Sequence, residues 1–446
     1  MPEKPELPLV TPREAASDLV GRAPGGPAYW AAVLVLAALA AAGVAALVVL
    51  AAGGPEPRAK WGYTAATLAF LLSTAGAAPT LAFTSRLGRG YWGIPLRRAA
   101  DLFALSGLVV APLYVLVLAQ LPDWRGRTSI WNDWPGAPGP WAAAAVVGLA
   151  LAGLALVYVS GLPDLAAARD VRRARPGGLA LGWTGSLRRW DVLGLAVKAL
   201  GAVYALLFVY VNLLASSDLA MSLVPYWHSA VIPPYHAISG YQGGIAMTIV
   251  ALAVARRWGG LERYVTRDQF HAAAKLLLAL ALLFFYFTWC ELLTYWYGRT
   301  PAEEWLLGLL MFRSYAGAFV LAFALCCVVP FLLLLWNPIR GSMAGATVAA
   351  ALVLVGLFFD RIRMYVAAWQ VAGPVGQEPS ALPPPHWPGI LDALVMVGLP
   401  AAVLLLYLLA LRFVPAVSLW EYRQDRLLRV EREFVRTKVA VIAKPS

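Results

Sequence analysis

The stretch AYWAAVLVLAALAAAGVAALVVLA, residues 28–51, decides the class of fold. It holds no charged side chain, and at 1.5 Å per helical residue a run of about 20 apolar residues already crosses the ~30 Å hydrocarbon core of a bilayer. A membrane β-barrel requires apolar and polar residues in alternation, which this stretch lacks. In lipid the backbone must bond within itself, and a helix is the remaining solution.

Working outward, similar runs recur near 61–83, 100–121, 140–161, 196–216, 229–255, 272–297, 305–335, 342–370 and 390–412. The chain is 61% hydrophobic and 13% charged with a mean hydropathy of +0.68, outside the soluble range. The expectation is an all-α polytopic membrane protein with about ten transmembrane helices. An N-terminal segment (1–27) precedes the membrane domain (28–412), and a tail (413–446) follows it. Spans two to five and six to nine form two four-helix bundles with one flanking helix at each end. Because four is even, both groups enter from the same side, which makes a parallel repeat. Pro330 predicts a kink in the long eighth run.

A net charge of +12 invites a nucleic-acid reading, but its placement argues for membrane orientation and no nucleic acid. Basic residues collect in alternate loops: Arg86, Arg89, Arg97 and Arg98 in 84–99, seven Lys or Arg in 162–198, and Arg256, Arg257, Arg263 and Arg267 in 256–271. The positive-inside rule then puts both termini and these loops in the cytoplasm. No basic n-region abuts a short apolar core, so the first span itself directs insertion. The loops at 122–139 and 371–389 are rich in Trp, Pro and Gly and suit docking of a partner outside the membrane or plain interfacial anchoring. Beyond the last span, SLWEYRQDRLLRVEREFVRTK (418–438) spaces Trp420, Leu427, Val430 and Phe434 as an amphipathic helix would, lying on the anionic lipid surface. Cys290, Cys326 and Cys327 sit in apolar runs without CxxC or CxxCH and read as packing residues.

Ionisable residues inside the spans carry the functional information. Glu291 falls past the midpoint of span seven, Asp360, Arg361 and Arg363 past that of span nine, and Arg313 near the outer third of span eight, all on the side opposite the basic loops. Each costs on the order of 2.5–3.5 kcal/mol against lipid, so they are expected to pair inside the bundle. Asp360 and Arg363, three apart, share a face, while Arg361 points about 100° away. Thr288, Glu291 and Tyr295 line one face of span seven. The stretch MSLVPYWHSAVIPPYH (221–236) brings His228 and His236 to the same layer, with Asp218 just before it. Two readings compete: an ion-pair lock that fixes helix register, and an acid, histidine and tyrosine path for protons. Near the other end of span seven, His271 and Lys275 read as a solvated helix start, with proton uptake second. Bis-histidine haem ligation fails, since His228 and His236 begin one span, His271 lies at the opposite end and His386 lies in a loop. With no Walker, GxGxxG, HExxH or Ser-His-Asp pattern, no catalytic or metal-ligating set is expected in this chain alone.

DLAMSLVPYWHSAVIPPYHAISG (218–240) resembles the MSL-x-P-x-W hallmark of ActF-type subunits of alternative complex III, members of the NrfD-like membrane proteins. QFHAAAKLLLALALLFFYFTWCELLTYWYGRTPAEE (269–304) resembles a second signature of that family, and GRGYWGIPLRRAAD (88–101) agrees with it. Val224 and Ala230 depart from the acidic residue and the Thr common at those places. The resemblance implies a haem-free subunit in a bacterial inner membrane complex that oxidises menaquinol in respiratory or photosynthetic electron transfer. Its partners would be an ActC-like paralogue, an iron-sulfur protein, multihaem and monohaem cytochromes c, small membrane subunits and lipids, with haems and clusters held by those partners. Asp218, His228, His236, Glu291, Arg313, Asp360, Arg361 and Arg363 would then form a proton path. Three alternatives stand beside it: a quinol-binding NrfD/ActC-like subunit using His228 or Glu291, a secondary transporter, and a purely structural anchor for cytochromes.

Overall fold

A computed structural model describes residues 12–19, 24–88, 91–122, 127, 139–172, 177–371 and 381–422, with the backbone of 429–434 and 437–442. Ten helices in it are long and apolar enough to cross a membrane: Pro27–Ala52, Arg58–Leu87, Ile94–Ala119, Gly139–Val171, Leu187–Leu223, Ile232–Trp258, Arg267–Gly298, Ala316–Leu335, Met343–Gln370 and Ile390–Ala410, spans one to ten. The protein is therefore a multi-pass, all-α membrane protein. Span two is the most enclosed, with 89% of its apolar stretch buried against 28% for span one.

The centre is built on a broken helix. Span two runs as helix from Gly62 to Ser73, turns through 74–77, and resumes from Ala78 to Leu87. Span six closes on this break through two glycines. A Cβ on Gly243 would sit 2.3 Å from the Ser73 carbonyl oxygen, and one on Gly244 would sit 2.6 Å from the Ala77 carbonyl carbon. Only glycine permits that approach. In lipid a carbonyl freed by a break needs a new partner, and the Tyr204 hydroxyl supplies one by donating to Gly76 O at 2.8 Å. The terminal spans are not isolated flanks: spans one and ten pack together, with a Gly398 Cβ position only 2.4 Å from Gly43 Cα. Tyr29 donates to Leu408 O at 2.9 Å, and the Arg412 guanidinium lies 4.8 Å over the Trp30 ring.

Three expectations change. The eighth run breaks at Arg313, not at Pro330: a helix Pro301–Leu307 continues as a π-turn to Phe312, Arg313 leaves helical geometry at φ −130° and ψ −86°, and span eight begins at Ala316. Pro330 is absorbed because a π-turn at Ala324–Val328 precedes it, so the missing N–H falls where the ladder is already rewound. Arg86, Arg97 and Arg98 are not loop charges. They lie on helices Ala78–Leu87 and Ile94–Asp101 and are buried. The tail is not a continuous amphipathic helix: helix covers 419–422, and Arg429–Phe434 pairs antiparallel with Thr437–Ile442 as a hairpin. The β-branched residues Thr437, Val439, Val441 and Ile442 favour that extended state. The docking reading of 122–139 and 371–389 falls largely on residues outside the described set; within it, Tyr63 donates to His386 O at 2.7 Å and Ser314 to Pro383 O at 2.7 Å.

The basic-loop end is closed by a strap that follows span ten. Arg86 bonds Asp101 at 2.6 Å and Glu421 at 3.1 Å, Arg97 reaches Glu421 at 3.4 Å, and Arg98 bonds Asp164 at 2.6 Å. Leu419 N donates to Asp164 at 3.0 Å and Trp420 Nε1 to Ser160 O at 3.2 Å. Three guanidiniums thus meet three carboxylates, and the third carboxylate comes from the strap. Burial raises the Glu421 carboxyl, but Arg86 and Arg97 outweigh it, and the net direction is down from the ordinary 4.5.

Removing one member of a buried ion network leaves its partners uncompensated. Glu421→Ala is expected to lower unfolding free energy by about 3–5 kcal/mol, read as a shift in denaturant midpoint in detergent. A depressed folded-state pKa contributes stability above the ordinary value, which is lost as pH falls through the folded one. The loss of wild-type stability below about pH 4.5 should therefore be blunted in Glu421→Gln; an identical pH profile for both would refute the arrangement.

Candidate functional site

Span nine carries the charges of the second network. Its regular helix Met343–Arg361 passes into a π-turn, Ile362–Val366, and Asp360, Arg361, Arg363 and Tyr365 are all buried. Such bulges re-aim side chains within a helix. Asp360 is the hub: Arg361 Nη1 meets its Oδ2 at 2.5 Å, Arg363 meets its Oδ1 at 2.8 Å, and the Tyr235 hydroxyl donates to Oδ1 at 2.7 Å. The expected face-sharing of Asp360 and Arg363 is present. Arg361 bonds its own neighbour and also ties the edge of the break in span two to span six, donating to Ser73 Oγ at 2.9 Å and Ser239 Oγ at 2.8 Å.

His236, on span six, is completely buried, and both ring nitrogens are engaged. Nδ1 faces Asn212 Oδ1 at 2.9 Å and Nε2 faces the Tyr365 hydroxyl at 2.9 Å. Neither nitrogen is offered to a metal in this arrangement. Tyr114 is buried, and its hydroxyl makes no hydrogen bond among the described residues. Asp218, the last helical residue of span five, is buried. Asp218, Tyr114, Tyr365 and His236 are thus four buried titratable groups, of which Tyr365 and His236 are in direct contact.

Glu291 forms an adjoining group. It is buried with Thr288 and Tyr295 on the inner face of span seven and accepts a 2.6 Å hydrogen bond from Ser229. Its Oε1 makes no hydrogen bond among the described residues. One carboxylate at Asp360 faces two guanidiniums, so Glu291 is the second acid that brings the layer toward neutrality. The chain reaches this point through a turn in which Tyr226 takes φ +62°, burying Trp227 and leaving His228 exposed.

The structure does not bring every expected residue together. Arg313 is exposed at the break before span eight and touches none of the triad, because the chain leaves helical geometry there. His228 enters the cluster only through its backbone oxygen, which accepts from Tyr295 at 3.4 Å. His271 lies half-buried in the first turns of span seven near Gly341 and Lys275 is exposed, both away from this layer. Sequence reasoning missed the neutral members Ser73, Asn212, Tyr235, Ser239 and Tyr365. Their signal was available, since polar side chains within apolar helices need partners.

Residues 52–372 match the family model described as polysulphide reductase, NrfD. No curated protein matches the chain.

Neutralising Asp360 strands two buried guanidiniums, whereas Tyr235→Phe removes one hydrogen bond. Asp360→Asn is expected to cost about 3–5 kcal/mol and Tyr235→Phe about 1 kcal/mol. Thermal unfolding in detergent checks the ordering, and equal effects would show that Asp360 is not the hub.

Proposed function

Because the chain belongs to the NrfD family, membrane subunits of quinone-interacting oxidoreductase complexes that partner with iron-sulfur and cytochrome subunits, we propose that it is the ActF-like subunit of an alternative complex III. In this reading it sits in a bacterial cytoplasmic membrane with the basic loops and both termini on the cytoplasmic side. It holds no haem itself, and menaquinol is oxidised in the assembly, with electrons leaving through partner cytochromes. The chain's own contribution is structural and proton-conducting.

The observation that carries this reading is the Asp360 triad, bonded through Tyr235 and Arg361 to the span-six segment that holds His236. Asp218, His236, Glu291 and Asp360 are the proton-bearing groups, and Arg361 and Arg363 hold Asp360 in place and orient its neighbours. Arg313 no longer belongs to the path, and His271 and Lys275 mark an uptake point only at the opposite end.

A second reading draws on one feature. The exposed His228 precedes Ser229, which donates to Glu291, and the other Glu291 oxygen makes no hydrogen bond among the described residues. A hydroquinone hydroxyl arriving from lipid needs such a carboxylate or imidazole as acceptor. The transporter reading loses ground, because the mid-span break of span two is matched by a continuous helix in span six, its expected counterpart.

In mild detergent the chain should co-purify with c-type cytochromes and an iron-sulfur protein. Within that assembly, Glu291→Gln should slow proton release by on the order of a hundredfold, the scale of a lost proton-transfer group. Unchanged turnover and proton release would leave a scaffold, and substrate flux through the isolated chain would favour a transporter.

A further inference from the structure

We propose that His236 is a one-sided proton-loading group: Asn212 fixes its tautomer, and Tyr365 serves its only exchangeable nitrogen. This rests on the proton-bearing reading of the buried cluster and assigns positions within it. The amide of Asn212 provides the starting point. One end of it faces the Phe208 carbonyl oxygen at 2.8 Å, and a carbonyl only accepts, so that end is the NH2 group. The other end is therefore the oxygen, and it faces His236 Nδ1 at 2.9 Å. An amide oxygen carries no proton, so Nδ1 must donate. In the neutral ring Nε2 is then the acceptor, and the Tyr365 hydroxyl donates to it at 2.9 Å.

Charge and space favour that neutral form. The ring nitrogens meet an amide and a phenol, not a carboxylate, and the nearest charge is the Arg361 guanidinium, which reaches the His236 carbonyl oxygen at 3.4 Å. An imidazolium there would be a second buried cation beside one already in place. Asp360 is committed to Arg361, Arg363 and Tyr235. The ring is wholly enclosed, with Tyr365 edge-on at 5.8 Å between centroids, so a flip requires breaking both hydrogen bonds at once.

A histidine relay takes a proton on one nitrogen and releases it from the other. Here the Nδ1 side ends at an amide that does not titrate and is already tied to Phe208. Protons must arrive and leave through Nε2. In loading, the Tyr365 O–H bond breaks as the Nε2–H bond forms, and the Tyr365 oxygen takes up a replacement proton released by one of the buried acids of the cluster. One proton is added to the ring, and the reverse sequence unloads it. The loaded ring adds a positive charge beside Arg361, so occupancy is coupled to the Asp360 triad.

The test uses the full chain in lipid bilayers with ring-15N histidine, and with His228, His271 and His386 replaced by Gln so that His236 alone reports. Solid-state NMR should find a neutral ring protonated on Nδ1. Tyr365→Phe should keep that tautomer while losing the hydrogen-bond signature at Nε2, and Asn212→Leu should yield a mixture of tautomers. A wild-type ring protonated on Nε2 overturns the proposal, as does an unchanged tautomer in Asn212→Leu; the wild-type spectrum decides alone should that variant fail to fold. In the intact complex with its native histidines, Tyr365→Phe should slow proton release by on the order of a hundredfold. If release is unchanged while the Nδ1 tautomer is observed, the loading role falls and the lock by Asn212 stands as a structural feature.

Discussion

A charge inside a bilayer must find its opposite inside the protein, and that requirement organises this chain at two heights. Toward the basic loops, Arg86, Arg97 and Arg98 meet Asp101, Asp164 and Glu421. Toward the opposite face, Arg361 and Arg363 meet Asp360, with Glu291 close by. Against a cost of about 2.5–3.5 kcal/mol per unpaired charge, neither set is tolerable except as a set. The helices are therefore ordered by which of them must bring a partner to which layer.

The two layers are distinct. Ser73, which touches Arg361, and Arg86 lie 13 residues apart on span two, on the order of 20 Å along the axis. Between them stand the break at 74–77 and the two glycines of span six, a region held by backbone hydrogen bonds and close contact, not by charge. A proton path of the kind proposed is therefore anchored firmly at one height, and its continuation toward the other layer must pass the place where span two is not helical.

The sequence made the ten spans legible because each is an apolar run of sufficient length, and it placed Asp360, Arg361, Arg363, Glu291 and His236 in one layer because counting along a helix gives depth. It concealed the lower network for the same reason. Arg86, Arg97 and Arg98 look like loop charges until their acids are known, and Glu421 comes from a strap more than three hundred residues further on. The outward turn at Arg313 was hidden because a π-turn and a break rotate side chains in ways a 100° rule cannot follow. Asn212 and Tyr365 were overlooked because neutral polar residues carry no charge to flag them, although they determine what His236 can do.

The contact between Gly43 and Gly398 also bears on biogenesis. Span one leaves the ribosome first, yet the surface it fits is made only when span ten is synthesised. At ~5–20 residues per second the interval is roughly twenty seconds to a minute. Throughout it the small-residue face of span one has only lipid or the insertion machinery for company, so sealing of the bundle is a late, post-insertion event.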